Sequence, residues 1–175
     1  LLTEWAEEPP LPEPSVPQKP KLALLMAAVD HVSNAGLWHA WLKLEKGRVA
    51  LLIHAAMANA SERFQPASMR PFVVAHRAPT AWCDMHRAFM LLVGEALLDT
   101  AVTHLAAIDY STLPAKPASV ILSALGDDPT SRICSMTYSG NVAEAWWVLE
   151  RRTAALFHRL APVIEAFRGI SINIV

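Results

Sequence analysis

The sequence predicts an all-α fold, an irregular bundle of five to seven helices, from three observations. Residues 80–110 read as one long helix, apolar on nearly every side. Helix-favouring Leu, Ala and Met dominate 21–34 and 48–60. Glycines and prolines fall where helices between these segments would stop.

Taken in order, residues 1–20 form a Pro-rich arm. Pro9, Pro10, Pro12, Pro14, Pro17 and Pro20 hold it extended, and its first fourteen residues carry Glu4, Glu7, Glu8 and Glu13 with no base. Trp5 and Leu11 have no local core to enter, so they are read as contacts with a partner. Residues 21–169 form a single helical domain, and 170–175 (ISINIV) an extended C-terminal arm.

Within the domain, 21–34 is the first helix, stopped by Gly36. Residues 37–46 form a short amphipathic helix with Trp38, Trp41 and Leu42 on one face. Gly47 separates it from a helix over 48–60. Pro66, Pro71 and Pro79 divide 61–79, leaving 72–77 a short helix or an extended run. Thr80 caps the central helix, which runs to Tyr110 and carries Glu95 and Asp99 one turn apart. These carboxylates are expected to face solvent or to meet Arg151, Arg152 or Arg159. Pro117 starts a helix to Leu125, closed by Gly126, and 126–140 is a polar connection. Asn141 and Glu144 read as a capping box for the last helix, kinked at Pro162 and ended by Gly169.

Composition narrows the function. Apolar residues make up 53% and charged residues 18% of the chain, against roughly 45–50% and about 25% in soluble domains. A sparse charged surface points to a surface shared with other subunits. On a helix, adjacent Trp146 and Trp147 would point about 100° apart, so one of them is expected to face a partner, a second layer of the bundle or a ligand pocket. The leading expectation is a non-enzymatic structural or interaction subunit of a self-associating or multi-protein assembly.

Residues 63–87 carry the second expectation. Arg63, Arg70 and Arg77 recur every seven residues, followed by Arg87 and interleaved with Phe64, Phe72 and His76. Arginines contact phosphates and aromatics stack on bases, so the strip suggests a helical subunit that binds single-stranded nucleic acid, coat-like or in a ribonucleoprotein. A helical ligand-binding regulatory domain is the third. No catalytic residue, metal or cofactor is expected: there is no G-x-S-x-G, no glycine-rich phosphate loop and no H-E-x-x-H, and the histidines lack ligand spacing. Cys83 and Cys134 read as reduced thiols, favouring a reducing, cytoplasmic location. The longest apolar runs, 22–29 and 88–94, fall short of the roughly 18–20 residues that span a bilayer, so no membrane insertion is expected.

Overall fold

The computed structural model describes residues 19–80, 85–126, 131–138 and 141–166, and its centre is a sheet. The strands are β1 (Lys21–Ala28), β2 (Val49–Ala55), β3 (Val102–Asp109), β4 (Arg132–Tyr138) and β5 (Asn141–Glu150), in the order β2-β1-β3-β5-β4. Among the described residues the α-helices are α1 (Ala35–Leu44), α2 (Ala60–Arg63), α3 (His86–Leu97), α4 (Ala118–Leu125) and α5 (Arg151–Ala166), with a 3-10 turn over Ala67–Phe72. The expected all-α bundle is therefore overturned: the fold is α/β.

β1 shows why. It pairs in parallel with β2 on one side and β3 on the other. Its Leu22, Leu24, Met26 and Ala28 enter one core with Trp38, Phe64 and Met69. Ala23 and Leu25 enter a second core with Leu92, Val93, Leu105 and Ala154. A strand covered on both faces is apolar at every position, so its text carries no period of two and passes for a buried helix. The helix preference of Leu, Ala and Met is a fraction of a kilocalorie per residue, and burial overrides it.

The same confusion made the central helix. Among the described residues of 80–110, helix covers His86–Leu97; the chain then turns over 98–101 and continues as β3. All-round apolarity across 80–110 was a helix followed by a doubly covered strand. Glu95 stays on α3, whereas Asp99 sits in the turn, so the two do not share one helix face. The cation on the Asp99 carboxylate is Lys21, whose Nζ lies 2.6 Å away; of the three arginines expected, Arg151 donates to the Asp99 backbone carbonyl at 2.9 Å.

Two more helices were strands. Residues 48–60 contain β2, and 141–150 form β5, with helix only from Arg151 onward. The capping-box residues Asn141 and Glu144 instead pair in an antiparallel ladder with Tyr138 and Met136 of β4, which lies in the expected polar connection. Helix boundaries set by turn chemistry fared better. α4 follows Pro117 and ends at Gly126 (φ +61°), and Gly47 (φ +83°) turns the chain from α1 into β2. Residues 1–18 and 167–175, with Trp5, Leu11 and the C-terminal arm, lie outside the described residues. Among the described residues no helix is long and apolar enough to cross a membrane.

The layers follow from the connections. α1, the 3-10 turn and α4 cover the first core; α3 and α5 cover the second. From β1 the chain passes through α1 to β2 on one flank, then returns through α3 to β3 on the other flank.

Candidate ligand site at the carboxyl edge of the sheet

β1 and β3 are parallel neighbours, and their connections leave in opposite directions. In open α/β sheets such a reversal parts the loops beyond the carboxyl ends of the strands, and ligands bind in the gap. Here each strand runs straight into an acidic residue: the β1 text ends Ala-Ala-Val29-Asp30-His31, and the β3 text Ala-Ala-Ile108-Asp109-Tyr110.

The loops holding these residues are cross-tied. Gln65 N donates to Asp30 O at 2.9 Å, Val32 N to Gln65 O at 3.1 Å, and Ser33 N to Tyr110 O at 3.1 Å. His31 Nδ1 lies 2.6 Å from Asp30 Oδ1, and its ring meets Tyr110 edge-on at 5.3 Å between centroids. Asp109 folds its own loop: its Oδ1 accepts from Ser111 N at 2.6 Å and from the Ser111 hydroxyl, while Asp109 N donates to Thr112 Oγ1 at 3.2 Å. The edge thus presents two carboxylates, an imidazole and a phenol on fixed backbone. Val29, Leu37 and Leu113, in the same loops and the first turn of α1, are large apolar side chains exposed to solvent.

A cation reaches the same edge from the far side. Arg77 NH1 donates to Ala56 O at 3.1 Å, and Ala56 N donates to Ala28 O at 2.9 Å, one residue before Val29. Arg77 belongs to residues 73–80, an extended strap laid along β2. Val74 N donates to Ile53 O at 2.9 Å, and Val73 bridges Ile53. Beneath the strap His54, which has 0% exposure, places Nε2 at 3.1 Å from both Ala78 N and Ala78 O. Burial pulls the His54 pKa below its ordinary value; the bond to the Ala78 backbone raises it less, and the nearby Arg77 charge lowers it further.

The other residues singled out from the sequence scatter. Arg63 is exposed at the end of α2 and Arg87 is exposed on α3. Arg70 turns its Nε to Phe64 O at 2.9 Å, and His76 Nδ1 lies 3.3 Å from Glu95 on α3. Phe64 is fully buried in the first core, which removes it as a stacking surface. Of the strip, only Arg77 is placed at the carboxyl edge by a contact described above. Trp147 packs on the second core and meets Phe89 edge-on at 5.7 Å. Trp146 lies on β5 opposite Cys134, so the helical argument for this tryptophan pair falls with the helix.

Asp30, His31 and Asp109 escaped the sequence reading because they were placed inside helices, and Ser111 because it lay just past the end of one. The signal was present in a different form: two apolar runs of strand length, each closed by Asp and a polar cluster. Among the described residues no three His, Cys, Asp or Glu side chains are grouped to hold a metal ion. No protein-family model, curated protein or solved structure matches the chain.

Proposed function

We propose that the chain binds a small phosphorylated polar molecule of the nucleotide class across the carboxyl ends of β1 and β3. The supporting observation is the reversal of connection between these strands, with an Asp at the end of each. Asp30 and Asp109 would accept from ligand hydroxyls, Tyr110 offers a flat face, and Arg77 supplies the charge for a phosphate. The helical frame of the third expectation gives way to the sheet, and the ligand proposed here is polar. No reaction is assigned to the site.

Calorimetric titration with a panel of nucleoside mono- and diphosphates tests this. Arg77→Ala and Asp109→Asn should each weaken the best ligand about tenfold, or about 1.4 kcal/mol, with Arg63→Ala unchanged. The reading is wrong if nothing in the panel binds tighter than about 1 mM, or if both variants bind as the parent does.

The shared-surface expectation keeps one support. Leu44 and Leu98 are 80% and 78% exposed, each at the end of a helix that finishes at the opposite, amino edge of the sheet. Light scattering with and without residues 1–20 decides it; a monomer in both samples removes self-association. Single-stranded nucleic acid has less behind it, since Phe64 is core and the Arg70 side chain is turned to the backbone carbonyl of Phe64. Adding an oligonucleotide to the titration panel gives that reading its own outcome.

A further inference from the structure

We propose that the strap over residues 73–80 is a pH-sensitive gate on the carboxyl-edge site, with His54 as the latch that releases it, and so Arg77, on acidification. The role given to Arg77 rests on the ligand site proposed above; the release of the strap does not.

The geometry sets the latch. His54 sits on β2, opposite Ala27 of β1, fully enclosed, and its Nε2 faces the backbone of Ala78 at 3.1 Å. The neutral ring serves Ala78 in either tautomer, accepting from its N–H or donating to its C=O. Its Nδ1 is also buried and has no hydrogen-bond partner among the described residues. Charging the ring puts a proton on both nitrogens. Nε2 can still donate to Ala78 C=O, but the Nδ1 proton is enclosed with no acceptor among the described residues, and Ala78 N–H has no ring lone pair to meet. A charged ring held closed is costly; an open strap lets water solvate it.

The surrounding charges act in both directions. Of the elements packed against β2, β1 carries Lys21, paired with Asp99 at the far edge, and the 3-10 turn carries Arg70, turned to Phe64 O. Arg77 on the strap repels an imidazolium. On α3, which packs against β2, the titratable and charged groups are His86, Arg87 and Glu95. Glu95 is the only carboxylate there and is engaged by His76 at 3.3 Å. His76 works against release, because its contact with Glu95 is an ion pair only when the ring is protonated. That pair is weak, since the His76 side chain is 78% exposed. Because the pKa of His54 is depressed in the closed state, its contribution to closure is complete above the ordinary histidine value of 6.5 and lost as pH falls below it. The opening constant rises up to about tenfold per pH unit in that window. Opening breaks the Val74–Ile53 hydrogen bond and carries Arg77 from Ala56 O, while β1 and β3 keep their own pairing.

Hydrogen exchange on the full chain between pH 7.5 and 5.5, corrected for intrinsic rates, is the test. Peptides spanning 73–80 should lose protection about tenfold per unit below 6.5 while β1 and β3 peptides hold theirs, and His54→Gln should abolish the dependence. Strap protection that is flat with pH, that falls equally in His54→Gln, or that falls only with the whole sheet overturns the gate. If His54→Gln does not fold, histidine side-chain NMR on the parent protein replaces it. A His54 that titrates near 6.5 with the strap still closed also overturns the proposal. A parallel arm measures nucleoside diphosphate binding at both pH values. Release of the strap without any ligand binding upholds the latch and removes the ligand-site reading; binding with a pH-indifferent strap does the reverse.

Discussion

Arg151 holds the end of α3 and the start of β3 together with one guanidinium. It donates to Leu97 O at 2.8 Å, Asp99 O at 2.9 Å and Val102 O at 3.1 Å, and burial draws its pKa below the ordinary arginine value while leaving it charged. Helix-terminal carbonyls have no intrahelical partner, so this side chain is a cap supplied from α5. Arg151→Ala should cost about 3 kcal/mol by urea denaturation, and Arg151→Lys should recover less than half, because an ammonium does not reproduce the fork. Beside it, the Lys21 hydrogen bond is the main reason that Asp99 sits below its usual carboxylate value. A depressed carboxylate stabilises above its unfolded value near 3.8 and loses that contribution as pH falls through the folded one. The gap in urea midpoint between the parent and Lys21→Met should therefore be widest at neutral pH and close below about pH 4.

At the scale of elements, α3 and α5 cross closely at Gly94. A Cβ built there would meet His158 Nε2 at 2.7 Å, and His158 is an exposed side chain able to swing aside. Alanine gains up to about 1 kcal/mol over glycine in a helix, and displacing the imidazole offsets it. Gly94→Ala alone should be near neutral, and Gly94→Ala with His158→Ala should stabilise by about 0.5–1 kcal/mol relative to His158→Ala, read from thermal unfolding. β1 offers a sharper check on the element type. Leu24 and Leu25 are both buried, in different cores, so Leu24→Ala and Leu25→Ala should each cost about 3 kcal/mol. Turn-defined features were legible in the sequence: Gly47, Pro117 and Gly126 act through local backbone geometry. The strands were not, because LALLMAA is apolar for reasons that lie in two layers packed from elsewhere in the chain.

For the whole molecule, the sheet separates two edges with different chemistry. The amino edge holds Lys21, Asp99 and Arg151, which bond one another and close the structure. At the carboxyl edge Asp30, His31, Asp109 and Arg77 come from three connections. Arg77 was visible as a cation in the sequence, but its neighbours were not, since only the strand order brings 30, 109 and 77 to one edge. The two sides of that edge are also built unequally. Trp38 and Trp41 of α1 donate their indole N–H groups to Thr112 O at 2.9 Å and Lys116 O at 3.0 Å, tying α1 to the loop after β3. Trp38 is 1% exposed and stacks edge-on against Trp41 at 5.8 Å. One jaw of the site is thereby stationary and the strap is the moving one. In a variant that keeps Trp38 as its single tryptophan, the emission should stay blue and unchanged across the pH range that opens the strap.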